Sequence, residues 1–493
     1  MPIYGAYEVF FDRRKCTDCG VCVKFCPNTV IEVDKENRVF AKRERACVGC
    51  RICEDKCPHD AIFIRSTQPE SLTRGMWTTD VIEDIRSKAD TGRYLIRGYG
   101  TNGPLPHFDG LTIVPAQLAP PVPLDKYREE CDISVTIGEG RASRPLRLRI
   151  PIMIAAMSYG AVSKETKTAC ALAANLCGTA TNTGEGGTFP GEYESTKPNG
   201  YLVAQWASGR WGVSLDYLQN SDAVEIKTGQ GAKPGMGGHL LADKVTEDIS
   251  RVRGIPVGTD ALSPCRFYDT LGLEDLKKIV DLLRDVTNYE KPIMLKLGPG
   301  RIYDDVRMAA LAGVDAVAVD GAQGGTGAAP DIVTQNAGIP TIGTIGPAVR
   351  ALKDLGLYRK VKLISLGGYR NGADVVKGLA LGADIIGIAS AAMIAMGCRV
   401  CEQCAKGMCP YGITSQDPEL RKRLQPERAA QRLKNYLNVV VEEMKMLTML
   451  SGHRSITELG REDLRALSFD AAAICGVKLI GLEDYVIPQR KRA

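Results

Sequence analysis

No run of about 18 apolar residues occurs anywhere in this 493-residue chain, which excludes a membrane-spanning helix. Met1 is followed by PIYGAYEVFFDRRKC, with no basic stretch leading into a long apolar one, so no secretory leader is expected and the chain reads as cytoplasmic. An excess of one charge is missing too. The 63 Lys and Arg face 58 Asp and Glu, for a formal net charge of +5, and no Lys/Arg block stands out, so neither nucleic acid nor an anionic membrane surface is an expected partner. Nor does a Gly-x-Gly-x-x-Gly run follow a strand with an acid downstream, which leaves no visible place for a dinucleotide.

Cysteine, by contrast, is plentiful. Seventeen cysteines in a long chain without a leader point to thiols kept free for metal rather than to a disulfide framework. Twelve of them fall in three tight groups. The first two read Cys16-x2-Cys19-x2-Cys22-x3-Cys26-Pro27 and Cys47-x2-Cys50-x2-Cys53-x3-Cys57-Pro58. That is the bacterial two-cluster ferredoxin pattern, in which three close thiolates hold one cube and the fourth cysteine crosses to the other. It predicts one [4Fe-4S] cluster on Cys16, Cys19, Cys22 and Cys57, and a second on Cys47, Cys50, Cys53 and Cys26. The third group, GCRVCEQCAKGMCP at 397 to 410, carries Cys398, Cys401, Cys404 and Cys409, enough thiolates for another complete [4Fe-4S] cube. Zinc is the alternative at each group. The isolated Cys131, Cys170, Cys177, Cys265 and Cys475 read as small core residues.

Length suggests two domains plus connections, since an α/β barrel alone takes about 250 residues. Residues 1–67 form the expected ferredoxin-like domain, and 68–150, dense in Pro and Gly, an extended connection wrapped over the next one. From 151 to 395, apolar β-type runs alternate with helical stretches: IMIAAM, GTATNT, AVEIKT, IPVGTDA, IMLKLG, AVAVDG, VKLISLGG and DIIGIAS. Eight such strands predict a (β/α)8 barrel with its site at the C-terminal strand ends. Residues 396–416 are the third cysteine loop, and 417–493 a C-terminal helical extension completing the barrel domain. Gly367-Gly368 with Arg370 after the seventh strand, and Ala389-Ser390 at the end of the eighth, stand where barrels cradle a phosphate. Beside iron–sulfur wiring, such a cradle favours FMN, because a flavin converts single electrons into a hydride. Lys296, at the end of the fifth strand, is placed to put positive charge near the flavin ring.

Several longer motifs carry a family resemblance: MSYGAVSKE at 157, NTGEGG at 182, ASGRWGV at 207, IKTGQGAKPGMGGHL at 226, DGAQGGTGAAP at 320 and GGYRNGADVVKGLALGAD at 367. With the opening cysteine run they resemble an archaeal-type glutamate synthase large-subunit core, the FMN-binding synthase domain fused to a two-cluster ferredoxin. The resemblance implies that Cys398, Cys404 and Cys409 hold a [3Fe-4S] cluster beside the flavin, to which Cys401 adds a fourth thiol. It implies that Lys233 and Arg253 hold the carboxylates of 2-oxoglutarate or its imine, and that Glu185 binds ammonia or iminium and shuttles a proton. Met157, Ser158, Thr181 and Gln230 become flavin-side contacts. His239, a candidate donor to a substrate carboxylate, stands where the family usually carries Gln, and Phe267-Tyr268 stand where many members carry a His pair.

Met1 followed by Pro2 provides no glutaminase nucleophile. The expected partners are therefore separate glutaminase-type and NAD(P)H-flavoprotein subunits, or a ferredoxin as donor. The implied reaction passes electrons through the N-terminal clusters and the third cluster to FMN, and reduces 2-iminoglutarate, from 2-oxoglutarate and ammonia, to L-glutamate. Two alternatives stand beside it: an N-methylglutamate synthase-like oxidoreductase using another amine, and a non-catalytic electron-relay subunit.

Overall fold

The computed structural model describes residues 7–66, 79–118 and 120–482. Eight parallel strands close into one barrel: β1 (Ile152–Ile154), β2 (Ala180–Asn182), β3 (Tyr201–Ala207), β4 (Ala223–Lys227), β5 (Ile293–Leu297), β6 (Ala316–Asp320), β7 (Lys362–Leu366) and β8 (Ile385–Ile388). Ile386 of β8 pairs with Ile152 of β1 and shuts the ring. Every residue of β4, β5 and β6 is buried, as strands covered inside and out by side chains require. Their apolar runs follow from that covering.

Inside the ring, Met153, Ala180, Val203, Ala223, Met294, Ala316 and Ile364 pack with Ile137, Leu146 and Leu148. The last three belong to a hairpin, Val135–Ile137 paired with Leu146–Leu148, which plugs the end where the strands begin. Chemistry is thereby confined to the other end. Outside, the 25-residue helix Pro426–Leu450 packs on Lys164–Cys177 and Gly372–Leu381.

One expected strand is not part of the barrel. IPVGTDA follows the helix Glu247–Arg253, and only its last residue pairs, in the short ladder His239–Leu240 with Ala261–Leu262. Pro256 lacks an N–H and Gly258 has φ +68°, so this stretch cannot keep a ladder going. Its place is taken by Tyr201–Ala207, which pairs with β2 and β4. Because the substitution is one for one, Lys296 is still on the fifth strand. The segment expected to be extended before the barrel also holds a helix, Thr79–Thr91, and is pinned at Ile96–Tyr99 to Thr326–Pro330 and at Leu111–Ile113 to Leu464–Ala466.

The N-terminal lobe pairs Tyr7–Phe11 with Ile62–Ser66 and Ile31–Val33 with Val39–Ala41, around the short helices Val21–Phe25 and Ile52–Lys56. It is joined to the barrel by polar contacts. Tyr411 donates to Asp55 (2.9 Å) and the Cys50 carbonyl (3.2 Å), Arg399 pairs with Asp55 (2.6 Å), and Arg423 donates to the Phe25 carbonyl (3.0 Å). Among the described residues no helix is long and apolar enough to cross a membrane.

Candidate active site

A cavity opens at the C-terminal strand ends. Met157, Ser158, Glu185, Gln230, Lys233, His239, Lys296, Gly367, Gly368, Ala389 and Ser390 all line it. Three other residues singled out in the sequence do not. Thr181 is 1% exposed within β2. Arg370 turns outward to Asp374 (2.8 Å) and Asp109 (3.0 Å). Arg253 lies behind the wall, donating to the Tyr159 carbonyl at 2.8 Å and stacking on Trp211.

Arg253 therefore supports the loop that carries Glu185 rather than facing the cavity. A Cβ on Gly186 would fall 2.8 Å from its guanidinium, so the glycine lets the loop lie flat on the arginine. Phe267 is likewise buried, under Arg210, while Tyr268 faces solvent, and neither lines the cavity.

Glu185 is held on both oxygens. Lys227, at the end of β4, pairs with Oε1 at 2.8 Å, and the Ser263 hydroxyl donates to Oε2 at 3.1 Å while accepting from the Gly238 N–H. The carboxylate lies against bare backbone: a Cβ on Gly238 would fall 1.5 Å from Oε1. Burial pushes this carboxyl up, but Lys227, Arg253 and Lys233 outweigh it and hold it below its ordinary value. Glu185 is an anion in the resting site.

Lys233, 1% exposed, donates to the Ala328 carbonyl at 2.7 Å. Burial, with Lys227 nearby, brings its amine down to about 7, although Glu185 acts the other way. His239 is brought to about 4 by burial and Lys233, so it is neutral near pH 7. Lys296, the ladder neighbour of Lys227 on β5, stands 3.6 Å from Asp320, and Gln230 donates to Thr326 at 3.1 Å. Gly367 and Gly368 both adopt positive φ, 107° and 79°, which only glycine takes without strain. Sequence reasoning missed Lys227, Ser263 and Asp320 as site residues.

The cysteines gather as three groups. One cavity is lined by Cys16, Cys19, Cys22 and Cys57, another by Cys26, Cys47, Cys50 and Cys53. In the third group, burial and the neighbouring thiols Cys409, Cys404 and Cys50 push the Cys401 thiol up, so this group adjoins the Cys50 group. Cys404 also lines the barrel cavity. Among the described residues, no three of these thiols have sulfurs all within 4.8 Å of one another. Backbone N–H groups of Val30, Ala61 and Val400 donate to Cys26, Cys57 and Cys398 sulfurs at 3.3, 3.3 and 3.4 Å, as suits thiolates bearing cluster charge. Buried Lys244 binds the third loop to the cavity wall, donating to the Ala161 carbonyl at 2.6 Å and the Cys404 carbonyl at 3.1 Å.

A closed (β/α)8 barrel with a charged cavity, joined to a dicluster cysteine lobe, defines the class. The conserved region in glutamate synthase matches residues 121–454, and a 4Fe-4S dicluster domain matches residues 15–65. The chain is 39% identical to an archaeal-type glutamate synthase [NADPH] of Thermotoga neapolitana over 96% of each chain. It is 37% identical to the archaeal glutamate synthase [NADPH] of Archaeoglobus fulgidus over 96% of this chain and 97% of that one. A glutamate synthase large subunit-like protein of Rhizobium meliloti is 43% identical over 82% of this chain and 94% of its own. The chain belongs to the glutamate synthase family.

Proposed function

We propose that the chain reduces 2-iminoglutarate, formed from 2-oxoglutarate and ammonia, to L-glutamate, using electrons that reach the barrel by way of its cysteine groups. The observation that carries this reading is one cavity walled by Glu185, Lys227 and Lys233, by the glycine backbones at 324, 325, 367 and 368, and by Cys404. Dicarboxylate charge, iminium charge and an electron entry point meet there.

The glycine-lined side suits FMN. A Cβ on Gly325 would fall 2.7 Å from Ser390 Oγ, and one on Gly368 2.9 Å from Gln323 Cβ, so these backbones have no room for side chains between themselves and their neighbours. Gly367, Gly368, Ala389 and Ser390 would hold the phosphate, with Met157, Ser158, Gln230 and Lys296 around the remainder. FMN there would supply the conversion of single electrons into a hydride equivalent. Cys16, Cys19, Cys22 and Cys57 would hold one [4Fe-4S] cluster, and Cys47, Cys50, Cys53 and Cys26 a second. Cys398, Cys401, Cys404 and Cys409 would hold a third, with thiols enough for four irons.

The protein's own groups account for the rest. The Lys233 ammonium binds a substrate carboxylate, and neutral His239 offers a hydrogen bond beside it. Glu185, kept anionic by Lys227, holds the positive iminium nitrogen and passes protons to and from it. Arg253 contributes its charge from behind the loop. Condensation releases water, and the imine takes up two electrons and two protons to become the amine. Ammonia would come from a separate glutaminase-type subunit, and electrons from an NAD(P)H-flavoprotein subunit or a ferredoxin.

The test is anaerobic turnover of the dithionite-reduced, purified chain with 2-oxoglutarate plus ammonia, with products identified by mass spectrometry. Glutamate is the expected product. A second arm replaces ammonia with methylamine, because His239 in the cavity wall alters the surroundings of the substrate; N-methylglutamate formed in preference would move the assignment to that amine. Flavin that is reduced yet is not reoxidised by keto acid with either amine would leave only electron relay.

A further inference from the structure

Between the N-terminal lobe and the barrel runs an open groove that the chemistry above does not use. Residues of both parts and of the third cysteine loop line it, Phe25 and Cys398 among them. Its lining holds seven lysines and arginines against two carboxylates. Both carboxylates are already engaged, Asp55 by Arg399 at 2.6 Å and Glu419 by Lys422. Lys24, Lys56, Arg423, Arg428 and Arg432 have no carboxylate at ion-pair distance among the described residues, and Lys56 and Arg423 stack over the Phe25 ring at 5.8 and 5.1 Å. The excess of five cations over carboxylates in this one groove equals the formal net charge of the whole chain, +5. Crowding like charges in one concavity raises the self-repulsion of the folded protein, and an anionic occupant relieves it.

The groove also has what a redox contact requires. Cys398 is in its wall, and Ile394, 46% exposed, gives it an apolar patch at the same place. A basic rim around a small apolar patch over a metal-binding thiol matches an acidic protein surface that encloses a redox centre. We infer that this groove docks an acidic one-electron carrier protein, and that electrons enter the chain at the Cys398 group. Each encounter moves one electron from the reduced carrier to the chain, with no bond broken and no proton moved; two encounters supply the pair that the imine consumes. The inference rests on the reading of the Cys398 group as an iron–sulfur site.

The test uses the cluster-loaded full chain and a reduced, acidic ferredoxin as probe, with no keto acid present, so that it is independent of the glutamate-forming assignment. Stopped-flow absorbance follows reduction of the chain, and sedimentation follows binding of the oxidised carrier. Charge reversal at two exposed groove positions, Arg428→Glu with Arg432→Glu, is expected to slow reduction about tenfold or more at low ionic strength, with the difference closing at high salt. Binding should weaken in parallel, while dithionite reduction and iron content stay at parental values. The comparison variant, Arg14→Glu with Lys15→Glu beside the outer Cys16 group, is expected to leave reduction unchanged. If the Arg14/Lys15 variant slows reduction and the groove variant does not, electrons enter at the outer group and the inference fails. It fails equally if the groove variant instead abolishes a salt-sensitive self-association of the chain without affecting carrier kinetics.

Discussion

Replacing Lys227 by Met removes the 2.8 Å partner of Glu185 Oε1 and leaves the carboxylate in a wall where it is 8% exposed. Breaking a buried pair by removing one member typically costs about 3 to 5 kcal/mol, because the remaining charge stays desolvated. In a domain of this size about 2 °C of thermal midpoint accompanies each kcal/mol, so a drop of about 6 to 10 °C near pH 7.5 is expected. The pH dependence carries a sign. In the parent the carboxyl lies below its ordinary value, so its contribution to stability is present above the unfolded carboxylate range and lost as pH falls through the lower folded value. Without Lys227, burial pushes the carboxyl up against only Arg253, Lys233 and the Ser263 hydroxyl, and the folded state holds the proton more tightly than the unfolded one. Stability of the variant should then fall as pH rises from about 5 to 8, opposite in sense to the parent contribution. Calorimetry across that range reads it directly, with Lys227→Arg as the charge-retaining control. A variant midpoint equal to the parent's at every pH would refute the assignment of Glu185 as an anion fixed by Lys227.

Heat-released flavin should be FMN at about one per chain, because a barrel phosphate site makes no provision for a second nucleotide; recovery of FAD would remove the basis of the cradle at Gly367-Gly368. Cys401→Ser should convert the electron paramagnetic resonance signal of a third [4Fe-4S] cluster to that of a [3Fe-4S] cluster and leave the N-terminal pair untouched. An intact protein already showing [3Fe-4S], unaffected by the substitution, would make Cys401 a packing residue. Since the Lys233 amine sits at about 7, the KM for the keto acid should rise as pH increases above that value and the ammonium is lost. Lys233→Met should raise KM throughout and abolish that limb; a limb that persists in the variant belongs to another group.

The parts of this protein that were legible in its sequence are those set by covalent spacing or by strand burial. Cysteines three apart, as in Cys16, Cys19 and Cys22, must lie within reach of one cluster, and the two cavities collect Cys57 and Cys26 in crossed fashion with the opposite triplets. Barrel strands buried on both faces read as apolar runs, and seven of the eight were found by that pattern. The eighth, YLVAQWA, competes with IPVGTDA because both are short and contain apolar residues; the Pro and the Gly inside the second are the signal against it. Arg253 could not be placed from spacing, since a cation at the end of a helix can face a cavity or support the wall behind it, and only the packing of Gly186 and Trp211 decides between them. Lys227 and Asp320 were closer to hand. Each is a charged residue at the C-terminal end of a fully buried barrel strand, and a charge that survives burial at that end of a barrel requires a partner in the site. Ser263 carried no such mark: it reaches Glu185 from a loop 78 residues away, and its hydroxyl matters only because Gly238 lets the carboxylate approach the backbone. Charge at strand ends is therefore readable before folding. The hydrogen bonds that fix its ionisation are tertiary, and they decide whether Glu185 is merely buried or poised to hold a proton.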